Sequence, residues 1–215
     1  MSLYTFSAQD PLPALSAIPG LHIEVSTDLS LLSALADISA GEVLKRLAEH
    51  HLAFIAFMDE QPAAFGWMAM HHASIGELAH TFTLPTRNRY LWNFRTVAAF
   101  RGKGIYPSLL QFMLQYEVDK ADRYWIIHAP ENKASLKGIC KAGFRHAGDL
   151  YVRPDGFPGC AATTLSEAEL QLIAAMGFQL SDEPSSTCWN CSSPYLKKKS
   201  MTCCCTAAGH YCSAN

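Results

Sequence analysis

Residues 96–120 read TVAAFRGKGIYPSLLQFMLQYEVDK, and the fold turns on how they are read. The stretch begins as the end of an apolar strand. It crosses a short basic turn, Phe100-Arg101-Gly102-Lys103-Gly104, and continues with apolar residues at helical spacing: Leu109, Leu110, Met113, Leu114 and Val118. A strand, a glycine loop and a helix in that order build an anion site. The first N–H groups of a helix have no intrahelical partner and point into the loop before it. Gly102 and Gly104 let the backbone approach a ligand closely, and Arg101 and Lys103 add positive charge. The expected ligand is a phosphate or pyrophosphate.

Two common phosphate loops do not fit. The dinucleotide fingerprint G-x-G-x-x-G fails at Pro107, and the G-x-x-x-x-G-K-[ST] loop is absent. The pattern R-x-x-G-x-[G/A] is met by Arg101 to Ile105 and departs only at Tyr106. Downstream lies a second apolar strand, residues 123–129. Asn132-Lys133-Ala134-Ser135 then opens a helix that closes at Ala142-Gly143-Phe144. The next strand is expected over residues 144–152. The loop resembles the pyrophosphate-binding loop of the GNAT superfamily of acyl-CoA-dependent N-acyltransferases. The strand, Asn, helix and Gly-Phe resemble that family's second signature. The resemblance covers residues 52–152.

The resemblance implies an α/β (α+β) fold: a mixed, mostly antiparallel central sheet flanked by helices, with splayed strands around the acyl-CoA site. It implies acetyl-CoA as acyl donor and a small-molecule or peptide amine as acceptor. Coenzyme A would be held by Thr96, Val97, Arg101, Gly102, Lys103, Gly104, Ile105 and Tyr106, with Asn132 and Ser135 from the second helix. The backbone N–H that polarises the thioester carbonyl would lie near Thr96 or Val97, since a preplaced donor stabilises the oxyanion of the intermediate. Direct attack by the amine needs no covalent enzyme intermediate, so Cys140 and Cys160 need not be nucleophiles. Glu77 and His80 are candidates for the general base, with His71 and His128 beside them. The family's usual general acid is a Tyr seven residues after the Asn, and that place is Ile139 here. A non-catalytic acyl-CoA-binding, or metal- or redox-sensing, module is the alternative. The assembly state is left open, with a homodimer as one candidate.

The rest of the chain is consistent with one such domain. At 215 residues it can bury a sizeable core, and 49% hydrophobic with 17% charged residues describes a soluble globular protein. A net charge of −2 gives no electrostatic footprint for nucleic acid. No apolar run has the length of a membrane span, and no signal peptide is evident, which points to the cytoplasm. Residues 1–20, with Pro11, Pro13 and Pro19, read as an irregular lead-in, and residues 21–25 as the first strand. Residues 29–51 have helical spacing in two segments broken near Gly41, with Leu31, Leu35, Leu44 and Leu47 expected in the core. Residues 52–58 and 63–70 read as a hairpin, residues 76–84 as a weak extra strand, and residues 89–97 as the strand feeding the loop. The GNAT-like domain is expected over residues 1–153. A helical extension and linker follow over 154–186, and overlapping capping boxes at residues 164–169 start its helix.

The tail, residues 187–215, is cysteine-rich: six of the eight cysteines lie there. Cys188 and Cys191 form a C-x-x-C, and Cys203, Cys204, Cys205, His210 and Cys212 follow. In a chain without secretory features such clustering argues metal before disulfide. Zinc takes four tetrahedral S or N ligands, so Cys188 and Cys191 would be one pair, with two of Cys203, Cys205, His210 and Cys212 as the other. An iron–sulfur cluster, redox disulfides, lipidated cysteines and an unligated thiol-rich tail stay open beside zinc.

Overall fold

The computed structural model describes residues 1–129, 132–162 and 164–181. The chain starts with strands β1 (Ser2–Ser7) and β2 (Leu21–Ser26), then helices α1 (Leu29–Ala36) and α2 (Ala40–Ala48). The hairpin β3 (Leu52–Met58) and β4 (Gln61–Ala69) follows, then a small hairpin of β5 (His72–Ile75) and β6 (His80–Thr83) around a 3-10 turn, Gly76–Leu78. Next come β7 (Asn88–Thr96), α3 (Ile105–Tyr116), β8 (Arg123–His128), α4 (Lys133–Lys141) and β9 (Arg145–Val152). The last elements are β10 (Pro158–Ala161), α5 (Glu167–Ala175) and β11 (Gln179–Ser181).

The helices start where their caps dictate. Asp28, Ser39 and Asn132 each accept from the backbone N–H three residues on, at Leu31, Glu42 and Ser135. Ser166 and Glu169 close a reciprocal capping box at the head of α5. Helix α3 differs: its N-cap is Gly104, and no side chain satisfies its first N–H groups.

Nine strands form one sheet in the order β11-β10-β9-β1-β8-β7-β4-β3-β2. Only β7–β8 and β10–β11 run parallel, so the sheet is mixed and mostly antiparallel, as expected. Side chains alternate across it. Phe54, Ala64, Leu91, Tyr124 and Ile126 face α3 and α4, packing on Leu109, Met113 and Ile139. Their neighbours Ile55, Phe65 and Trp67 face α1 and α2, while Tyr90 and Trp125 face α5 and the small hairpin. Helices therefore cover both faces.

Three expectations are corrected. Residues 2–7 are not part of an irregular lead-in: Ser2–Ser7 is a buried inner strand, antiparallel to both β8 and β9. Leu44 is not core; it is 53% exposed, while Leu32 and Val43 carry the buried stripe of α1 and α2. The stretch expected as helical extension and linker also carries strands: β10 begins at Pro158, and β10 and β11 extend the same sheet beyond β9. The tail residues Cys188, Cys191, Cys203, Cys205, His210 and Cys212 lie outside the described residues. Among the described residues no group of three His, Cys, Asp or Glu is placed to hold a metal, and no helix is long and apolar enough to cross a membrane.

Candidate active site

The central feature is a gap in the sheet. Strands β7 and β8 pair over four residues, Asn88↔Arg123 to Leu91↔Ile126, and then part. The paired end is pinned by Trp125 Nε1, which donates to Asn88 Oδ1 at 2.7 Å. Across β4 the register jumps: Trp67 faces Trp92 and Phe65 faces Arg95, so Gly66 stands opposite both Asn93 and Phe94. Two residues against one is a β-bulge, and it bends the strand that carries it. Asn93 takes the left-handed conformation there, with φ 52°, a region that Asn tolerates better than most residues. Residues 92–96 keep β4 as a neighbour and lose β8.

The parting strands open a cleft of about 790 Å³, within the range of small-molecule sites. Its lining comes from both faces of the sheet. Tyr106, Asn132 and Ser135 belong to the α3–α4 side; Ile38, Arg46 and Glu77 belong to the opposite side. The cleft thus passes through the sheet.

On the α3–α4 side the basic loop leads into α3, whose Tyr106 lines the cleft, while Arg101, Gly102, Lys103, Gly104 and Ile105 are not among the lining residues. Gly102 and Gly104 have φ of 78° and 82°, conformations that favour glycine. Arg101 Nε donates to the Thr96 carbonyl at 3.1 Å, and Lys103 Nζ lies 5.1 Å from the Phe100 ring centroid. Tyr106 follows at the start of α3. Its ring meets Phe94 edge-on at 5.2 Å, and Ser135 Oγ donates to its hydroxyl at 3.5 Å. Burial pushes the Tyr106 phenol well above its usual range, so it stays protonated. Ile139 is fully buried in the core and presents no polar group.

The other sequence candidates are dispersed. Glu77 lines the cleft from its 3-10 turn. His80 is not among the lining residues: its Nε2–H donates to the Met176 carbonyl at 2.7 Å, and its ring packs on Phe82 and Phe178. His128 lines the cleft, but its Nε2–H donates to the Asn132 carbonyl at 2.9 Å. His71 lines a second cavity with His50 and His51. The Val97 N–H donates to the Ala63 carbonyl at 2.8 Å, and Thr96 pairs with Ala64, so the opened backbone lies a few residues upstream at 92–94. Burial pushes the Cys160 thiol up to about 12, and raises that of Cys140 too, which leaves neither as a ready thiolate.

No protein-family model matches this sequence, and no curated protein matches it. Solved structures do match. An acetyltransferase of the GNAT family from Novosphingobium aromaticivorans is 16% identical, over 67% of this chain and 59% of its own, with a TM-score of 0.48. A GCN5-related N-acetyltransferase from Kribbella flavida is 16% identical over 67% of this chain and 53% of its own, with a TM-score of 0.47. The ribosomal-protein-S5-alanine acetyltransferase of Vibrio fischeri is 11% identical over 65% and 85%, with a TM-score of 0.48. All three are acetyltransferases. This chain spans between half and three-fifths of the length of the first two.

Sequence reasoning missed Arg46, Trp92, Asn93 and Phe94. Only Asn93 left a trace, as an Asn inside a run of strand-forming residues. Arg46 reads as one more polar helix position until its tertiary neighbours are known.

Proposed function

We propose that this chain is an acyl-CoA-dependent N-acyltransferase that moves an acetyl group from acetyl-CoA to a primary amine. One observation carries the reading: the parted strands open a cleft lined from both faces of the sheet, and on one face it is lined by Tyr106, at the head of the helix that the basic glycine loop precedes. An acyl donor anchored by its phosphates on that face and an amine entering from the other would meet in the gap.

The residues divide the work. The free N–H groups at the head of α3, with Arg101 and Lys103, hold the pyrophosphate, while Asn132 and Ser135 flank the thiol arm. Acetyl-CoA supplies an activated thioester. The unpaired backbone edge at residues 92–94, rather than Val97, presents donors to its carbonyl as negative charge develops there. Glu77 takes the proton that the attacking nitrogen loses, directly or through water. As the new C–N bond forms and the C–S bond breaks, the Tyr106 hydroxyl donates a hydrogen bond to the departing thiolate, in the role that Ile139 cannot fill. The thiolate then takes its proton from water.

The test is calorimetric titration of the full chain with acetyl-CoA, followed by turnover on a panel of amines. Binding near one to one that is abolished by Gly104→Asp is the expected result, in a chain that circular dichroism shows still folded, with a thermal transition lowered only by the strain of a side chain at this positive φ. The added carboxylate would face the phosphates at the helix head. Unchanged affinity in Gly104→Asp would sink the loop assignment. Binding without turnover on any amine would favour the non-catalytic acyl-CoA-binding alternative.

A further inference from the structure

The acceptor side of the cleft holds an unusual group of side chains. Arg46, from α2, is 9% exposed and lines the cleft beside Trp92. Its guanidinium carbon lies 4.5 Å from the Trp92 ring centroid and 5.2 Å from that of Trp67. The Arg46 Nε donates to Glu42 at 3.0 Å, but its Nη1 is buried with no hydrogen-bond partner. The same is true of Trp67 Nε1 and Trp92 Nε1. His51, whose ring meets Trp92 edge-on at 5.5 Å, has a buried Nδ1 without a partner. Among the described residues, four of the five such orphaned atoms therefore belong to one contacting cluster.

Guanidinium and indole N–H groups are donors only, so the cluster is rich in donors and short of acceptors. Buried donors without partners carry a desolvation penalty of the kind a ligand can relieve. A carboxylate has two acceptor oxygens and the charge to match a guanidinium, and its charge-assisted bonds to Arg are roughly twice as strong as those between neutral groups. A neutral carbonyl would satisfy geometry but leave the Arg46 charge answered only by Glu42, whose side chain is 41% exposed.

We propose that Arg46, with the Trp92 indole N–H, forms a carboxylate subsite on the acceptor side of the cleft, so that the amine substrate is one that also carries a carboxylate, such as a free amino acid. This rests on the transferase reading only for the fate of the amine. Arg46 positions the acceptor and takes no part in proton transfer.

The test titrates the twenty common L-amino acids, each beside its own α-carboxamide, into the full 215-residue chain. It uses calorimetry, with and without coenzyme A. At least one amino acid should bind about tenfold or more tightly than its amide, the preference expected of one charge-assisted hydrogen bond. Arg46→Gln should reduce that ratio to near one, Arg46→Lys should retain part of it, and Trp92→Phe should weaken acid binding while keeping the ring. Circular dichroism confirms the fold of each variant. Equal affinity for acids and amides, no acid binding, or an acid preference unmoved in folded Arg46→Gln would overturn the subsite. Coenzyme A affinity in the same samples reads the transferase proposal separately. A chain that selects acids without binding coenzyme A keeps the subsite and loses that reading. A chain that acetylates amines regardless of carboxylate does the reverse.

Discussion

The ring of Phe94 lies over the α-carbon of Gly66, so closely that a Cβ at position 66 would overlap Cδ1 and Cε1 of the ring. The same ring meets Tyr106, and the Tyr106 ring in turn occupies the space a Cβ would fill at Gly138. Two glycines, one on β4 and one on α4, thus hold a pair of aromatic rings across the cleft. Replacing Gly66 by Ala must displace Phe94, and with it the ring contact to Tyr106. The expected cost is about 1–3 kcal/mol of stability, as for other overpacked sites, measured by urea denaturation. Acetyl-CoA affinity should fall with it, because Phe94 lines the cleft. Stability and affinity both equal to those of the parent chain would show that the ring has room to move.

Tyr106→Phe isolates the hydroxyl. The ring keeps its contacts with Phe94 and with the α-carbon of Gly138, while the group beside Ser135 is removed. If the phenol steadies the departing sulfur, kcat falls on the order of a hundredfold, the effect of losing one preplaced donor. The KM for acetyl-CoA should stay near its parent value. A rise in KM at constant kcat would instead make the hydroxyl a contact to bound coenzyme A.

How much of this was legible in the sequence depended on range. The loop, the helix start at Asn132 and the β3–β4 hairpin are local patterns, and each was readable. Strand β1 was not, because Ser2–Ser7 pairs with residues more than a hundred positions away in β8 and β9, and the prolines that follow it mask its own strand-forming Tyr, Thr and Phe. The polarising N–H was expected near Thr96 or Val97, within the strand over residues 89–97; that pairing with β8 stops after Leu91 was not readable, because the bulge at Asn93 depends on the register with β4. Arg46 acquires meaning only when α2 lays it on Trp67 and Trp92, which come from two different strands.

Arg89 and Glu117 form a buried ion pair at 2.8 Å that ties the start of β7 to the end of α3. The guanidinium also donates to the carbonyls of Asn88 and Lys120, so its donors are well used. Glu117→Leu leaves a buried cation without its counter-charge. The loss should be roughly 3–5 kcal/mol, far above that of an exposed pair. The double variant Arg89→Met with Glu117→Leu should recover a good part of it, because the unpaired charge is gone. Equal destabilisation in the single and double variants would show that the pair is held for its hydrogen bonds to backbone and not for its charge.

Glu169 gives the pH dependence a specific carrier. Burial alone would raise its carboxyl, but the backbone N–H and hydroxyl of Ser166 and the charges of Arg123 and Arg145 outweigh it and hold the carboxyl below the usual range. A carboxyl depressed in the folded state binds protons more readily once unfolded. Its contribution is therefore fully present above the unfolded value, about 4.3, and is lost as pH falls through the lower folded value. Glu169→Gln removes the titrating group and keeps the side-chain shape. Urea midpoints for the two chains should differ most at neutral pH and converge as pH drops below about 4. Other depressed carboxyls, such as Asp149, titrate in both chains and cancel in the difference. A gap between the two chains that stays constant from neutral to acid pH would mean that the packing of Ser166 and Glu169, and not the charge, secures the head of α5.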